Sequence, residues 1–153
     1  VAITGLNALV DACAKDELSD GDRKRTMVNG RHRLYKCPAG KWTIGYGRNL
    51  EDNGISDSEA RTLLMNDVLA AQRDAASLIP NWLALDVVRQ NVCANMAFNM
   101  GRATLSKFVH FLAAVDEMRY EDAADEMKAS KWYGQVGQRA QRLEHEMRTG
   151  IVL

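Results

Sequence analysis

Most of this chain repeats apolar residues at helical spacing, but residues 34–47 break that rhythm. Leu34-Tyr35-Lys36-Cys37, then Pro38-Ala39-Gly40, then Lys41 to Gly47 read as strand, turn, strand. Side chains alternate along a strand. Trp42, Ile44 and Tyr46 therefore share one face, and Thr43, Gly45 and Gly47 share the other. The first face looks built to pack. The second is nearly bare and leaves room for something to approach the backbone.

Helix signals surround this hairpin. Ile3, Leu6, Leu9, Val10 and Cys13 fall on one stripe of a helix running to Glu17, with Thr4 as its expected N-cap. Ser19–Gly30 is polar and reads as a loop. Asn53-Gly54 marks a turn. Ser56 then opens a long helix to about Ile79, ended by Pro80. Its apolar stripe is Ala60, Leu63, Leu64, Val68, Ala71, Ala75 and Leu78. Asp67 lies on that stripe and needs a partner, and Arg48 is expected to supply it as a structural ion pair.

Beyond Pro80 the expected helices are Leu83–Gln90, Val92–Met100, Leu105–Val115, Tyr120–Ala129 and Gln138–Arg148. Trp42 and Trp132 read as core anchors. The expected fold is α+β and mostly helical, in one domain over residues 1–153. Residues 18–55 form a small β lobe, 56–80 a connecting helix, and 1–17 with 81–153 a helical lobe. A cleft between lobes would be the natural ligand site.

Composition narrows the function. A chain of 153 residues with 46% hydrophobic and 26% charged residues is neither disordered nor collagen-like. No apolar run is long enough to span a bilayer. Lys+Arg and Asp+Glu balance at 20 each, so net charge gives no support for a nucleic-acid partner. Cys13, Cys37 and Cys93 show no CxxC spacing and read as reduced thiols rather than a disulfide framework or zinc site. His32, His110 and His145 are scattered. No metal or cofactor is implied, and a monomer is expected. The opening stretch, interrupted by Asp11 and Lys15, shows no signal peptide.

The stretch from Tyr35 to Leu50, with Cys37-Pro38-Ala39-Gly40 and Thr43-Ile44-Gly45-Tyr46-Gly47 inside it, resembles the hairpin of phage lysozymes of the T4 type, the endolysin and muramidase family. Asn95-Met96-Ala97-Phe98-Asn99-Met100-Gly101 resembles that family's central helix. Ser130-Lys131-Trp132-Tyr133 with Arg139-Ala140, and then Arg148-Thr149-Gly150, resemble its closing segments. The blocks agree in order and spacing from about Leu9 to Gly150.

That family cleaves the β-1,4 bond between N-acetylmuramic acid and N-acetylglucosamine in peptidoglycan. Its pattern has a catalytic Glu after the first helix, an Asp or Cys at the hairpin turn and a Thr in the second strand. Cys37 and Thr43 match the last two. Counting back to the family's Glu lands on Val28, where there is no acid. Lys15-Asp16-Glu17 resembles the family's helix end, so Glu17 is expected to be the acid, followed by an insertion within Leu18–Gly30. Otherwise the acid has been lost.

The resemblance implies inverting hydrolysis, with Glu17 as proton donor and Cys37 and Thr43 positioning water. A helix C-terminus favours a protonated acid, and Arg139, matching the family's salt-bridging arginine, opposes that. Cys37 would act as a thiol that orders water or as a thiolate. Asn99 and Phe98 match cleft positions. Lys131 would reach substrate carboxylates.

Arg23-Lys24-Arg25 and Arg31-His32-Arg33 form either a solvated face or an attraction to anionic wall polymers. A lytic transglycosylase and a wall-binding domain without its acid stay open beside the muramidase. The expected setting is a phage-encoded protein, made in the host cytoplasm and acting on the wall in the periplasm. It would serve either at lysis or in a virion.

Overall fold

The computed structural model describes residues 2–17 and 26–153, with side chains from Leu6 onward in the first helix. The fold is α+β and mostly helical. Contacts divide the chain into two units, Val1–Ala60 and Arg61–Leu153. The stretch bearing Arg23-Lys24-Arg25, and most of the expected insertion, lies outside the described residues.

In the first unit, α1 spans Ala2–Glu17. It already includes Ala2, so Thr4 lies within the first turn rather than capping it. Two small antiparallel sheets follow. Strands β1 (Met27–Val28) and β2 (Arg31–His32) pair Met27 with His32 and Val28 with Arg31. Asn29 (φ 51°) and Gly30 (φ 71°) both take left-handed conformations between them, as a two-residue hairpin turn requires. The end of the expected loop is thus a hairpin.

The second sheet contains β3 (Tyr35–Lys36), β4 (Trp42–Ile44) and β5 (Arg48–Asn49), with β4 central. Tyr35 pairs with Thr43 and Lys36 with Trp42, while Thr43 and Ile44 face Asn49 and Arg48 on the other side. Pro38 sits early in the β3–β4 turn. The Gly40 N–H donates to the Cys37 carbonyl at 2.8 Å, and the Cys37 N–H to that of Lys41 at 3.0 Å. Asn49 then caps α2 (Leu50–Asn53) by accepting from the Asp52 N–H at 3.1 Å.

The strand faces reverse the sequence expectation. Thr43 is 2% exposed, whereas Trp42 is 46% exposed and Tyr46 is exposed too. Trp42 is therefore no core anchor: its ring lies under the Lys36 ammonium, 4.9 Å from the centroid. Tyr46 lies beyond the end of β4 and meets His32 edge-on at 5.1 Å. Arg48 donates to the Gly54 carbonyl at 3.0 Å and to Glu59 Oε2 at 3.3 Å. Glu59, at the start of the next helix, is thus the carboxylate it bonds. The expected partner, Asp67, is an exposed residue of the second unit.

Helix α3 (Asp57–Ala76) begins in the first unit with a reciprocal cap. The Glu59 N–H donates to Ser56 Oγ at 3.2 Å, and the Ser56 N–H donates to Glu59 Oε2 at 2.7 Å. The helix stops before Ile79. Of its stripe only Ala71 and Ala75 are buried; Leu63, Leu64 and Val68 are exposed.

The rest of the second unit is helical. A 3-10 turn at Trp82–Ala84 leads to α4 (Val87–Met100), then α5 (Arg102–Leu105), α6 (Val109–Asp116), α7 (Tyr120–Ala129), α8 (Lys131–Val136) and α9 (Gln138–Thr149). Asp86 caps α4 by accepting from the Arg89 N–H at 3.0 Å, which makes one helix of the expected pair. Ser130 caps α8, which the sequence reading does not separate, by accepting from the Tyr133 N–H at 3.2 Å. Phe111, Ile79, Met96, Leu105, Met127, Leu143, Met147, Val92, Val115 and Cys93 are fully buried in this unit, and Trp132 joins them as expected. Arg89 ties the ends of α4 and α9 together. Its guanidinium donates to the Met147 carbonyl at 2.8 Å and lies 3.7 Å from the Tyr120 ring centroid.

Candidate active site

The site residues expected from the sequence fall into two groups, one per unit. The first unit carries Glu17, Cys37 and Thr43. Glu17 ends α1, and its carboxylate lies against Gly47, just past β4. A Cβ placed on Gly47 would sit 2.6 Å from Glu17 Oε2. The group that approaches the bare strand end is thus the chain's own acid.

Cys37 lies opposite Lys41 at the β3–β4 turn, and its thiol meets the Thr43 hydroxyl diagonally. The Lys41 N–H holds the Cys37 thiol below the ordinary thiol range. Partial desolvation opposes this, and the Ala39 N–H and Thr43 hydroxyl add to the lowering. The Thr43 hydroxyl has one proton, and the Lys41 carbonyl lies 3.1 Å away to receive it. If that proton goes there, the hydroxyl oxygen accepts from the thiol; the backbone donors favour the thiolate in either case. Buried Thr43 and half-buried Cys37 thus form a polar pair beside solvent.

The second unit carries Phe98, Asn99, Lys131 and Arg139. Asn99 and Phe98 stand on α4, and Phe98 is 40% exposed, so it is not a core residue. The Trp132 indole N–H donates to Asn99 Oδ1 at 2.7 Å. That bond fixes the amide with its NH2 as the free end. Lys131, the first residue of α8, is exposed.

Arg139 donates from Nε and Nη2 to Asn95 Oδ1 at 2.8 and 2.6 Å, and its guanidinium lies 5.9 Å from the Phe98 ring centroid. Asn95 was not singled out from the sequence. Its spacing of one helical turn from Phe98 and Asn99 is the signal that could have found it. Among the described residues no cluster of His, Cys, Asp and Glu could hold a metal, and no helix is long and apolar enough to cross a membrane.

A mostly helical α+β chain whose hairpin sets a thiol and a hydroxyl together, with a carboxylate lying on the same hairpin, has the make-up of a lysozyme-type glycoside hydrolase. The chain belongs to the phage lysozyme family, which it matches over residues 27–148.

Its relatives agree. It is 27% identical over 148 residues to probable T4-type lysozyme 2 of Dictyostelium discoideum, covering 78% of this chain and 87% of that one. It is 36% identical over 109 residues to the pre-baseplate central spike protein Gp5 of Enterobacteria phage T4, covering 68% of this chain and 19% of the spike protein. With probable T4-type lysozyme 1 of Dictyostelium discoideum it shares 31% identity over 101 residues, 64% of this chain and 59% of the relative.

Proposed function

We propose that this chain is a peptidoglycan muramidase, folded as one lysozyme-like domain, that hydrolyses the β-1,4 bond between N-acetylmuramic acid and N-acetylglucosamine. Glu17 is the general acid, and Cys37 and Thr43 hold the attacking water. The observation that carries this reading is the Glu17 carboxylate lying on Gly47, on the same hairpin as the Cys37–Thr43 pair.

Glu17 gives its proton to the glycosidic oxygen as the bond to the anomeric carbon breaks. Water attacks that carbon from the opposite face and inverts it. The thiolate form of Cys37 takes the proton that water loses, with the Thr43 hydroxyl oxygen accepting the second water hydrogen while its own proton points to the Lys41 carbonyl. On the other unit, the free Asn99 NH2 suits the carbonyl of an N-acetyl group. Phe98 offers a ring face to a sugar, and Lys131 offers a cation to peptide carboxylates. Arg139 is the cation that the family pattern pairs with the acid.

The spike-protein relative favours a setting at infection, in which a phage-encoded enzyme opens the wall in the periplasm. A lysis enzyme is the other setting.

The test is clearing of outer-membrane-permeabilised Gram-negative cells by the wild type and by Glu17→Gln. Clearing should fall by about 10²–10⁴ in the variant. Clearing that survives Glu17→Gln would overturn the assignment. Product analysis sharpens it: a reducing muramic acid end is expected, and a 1,6-anhydro end would make the chain a transglycosylase. Wall binding without clearing by the wild type would make it a binding domain.

A further inference from the structure

We propose that Gly47 is a positioning residue for the general acid: its missing side chain is the seat in which the Glu17 carboxylate rests. This inference rests on the reading of Glu17 as the acid.

A Cβ at Gly47 would lie 2.6 Å from Glu17 Oε2, 3.1 Å from Cδ and 3.8 Å from Cγ. The first distance is far inside van der Waals contact, so the carboxylate would have to leave its place. It is the end of a flexible side chain with solvent nearby, so leaving costs the fold little. Its cost falls on geometry, because a proton donor displaced by about 1 Å loses up to about a hundredfold in rate.

The hairpin contains its own control. Gly45 and Gly47 both have positive φ, 63° and 82°, and both would be strained by a side chain. Nothing lies within 4 Å of a Cβ built on Gly45. Gly45→Ala therefore carries the backbone strain alone, and Gly47→Ala carries the same strain plus the displaced carboxylate.

The experiment measures thermal unfolding, kcat and KM on soluble peptidoglycan fragments for Gly45→Ala, Gly47→Ala and Glu17→Gln. Both glycine variants should lose similar thermal stability. Gly47→Ala should lower kcat by about ten- to a hundredfold with KM within about twofold. Gly45→Ala should hold kcat within about twofold. Gly47→Asn adds the same Cβ with a residue that tolerates left-handed backbone, and serves if the alanine variant does not fold. In a Glu17→Asp background, where the carboxylate is drawn back by one methylene, the Gly47→Ala penalty should shrink at least threefold.

Equal kcat in Gly45→Ala and Gly47→Ala, with Glu17→Gln inactive, would overturn the role of Gly47 and leave the acid in place. Full activity in Glu17→Gln would instead remove the acid, and the seat with it.

Discussion

The two units are held together by different means. The second buries its largest apolar side chains completely, from Phe111 on α6 and Met96 on α4 to Leu143 and Met147 on α9. In the first, the buried residues among those described are Thr26 and Thr43, both polar, and Leu6, Leu9, Val10 and Trp42 are exposed. Its short strands rely on cross-strand bonds, left-handed turn residues and caps such as Asn49 and Ser56. The hydrophobic term thus works mainly in one unit, while the proposed acid and water-holding pair stand on the other. Function placed on the less buried element is what local-stability arguments expect, since such elements open most readily.

Breaking the better-packed side should have the largest effect. Phe111→Ala removes a 1%-exposed ring from the centre of the second unit and should cost about 3–5 kcal/mol in denaturant unfolding. A loss below 1 kcal/mol would mean that this core is not the main source of stability.

Cysteine chemistry sharpens the contrast next. Burial pushes the Cys93 thiol up to about 12, while the donors around Cys37 hold its thiol down. In a Cys13→Ser background at pH 8, a thiol reagent should label Cys37 at least about a hundredfold faster than Cys93. Comparable rates would show that the second unit opens as easily as the first. The sign for stability follows from the lowered Cys37 value. Its contribution is present above the unfolded thiol's pKa and is lost as pH falls through the folded one.

Smaller effects separate local from global stability. Ser56→Ala deletes one side of the reciprocal cap on α3 and should cost about 1 kcal/mol, with amide exchange rising first in the opening turn. Exchange rising equally through α7 would show that the cap supports both units. Smallest is Met118, an exposed residue held at φ 59° between α6 and α7. Met118→Gly should raise stability by about 0.5–1 kcal/mol, read as a higher melting temperature, and a drop would mean that the Met118 side chain contributes contacts.

These differences also explain what the sequence disclosed. Helix α7 is legible to the residue because its apolar stripe Ala123, Ala124 and Met127 really is buried. Helix α8 is not, because it is short and is nucleated by the Ser130 hydroxyl rather than by periodicity. Alternation along β4 reveals which side chains share a face but not which face is covered. Thr43 is inside and Trp42 outside, and a period of two is compatible with either choice.

The Asn29-Gly30 hairpin carried a readable turn signal that polar composition masked. Strand β5 carried none, being two polar residues joined to β4 by backbone bonds. In the site, the spacing of Cys37 and Thr43 reveals the pair. The contact of Glu17 with Gly47 joins a helix end to a strand end and is invisible to spacing. The partners of Arg48 and Arg139, Glu59 and Asn95, are likewise set by packing.

The same unevenness makes built-in lamps of two of the protein's three tryptophans, once Trp82, half-buried in the second unit, is replaced by phenylalanine. Trp132 is 7% exposed, with its indole N–H bonded to Asn99, so it emits toward the blue and is hard for iodide to reach. Trp42 is 46% exposed on the hairpin, emits toward the red and is open to quencher. Heating the molecule while watching the two colours separately would show whether the hairpin dims before the helices, with no label added.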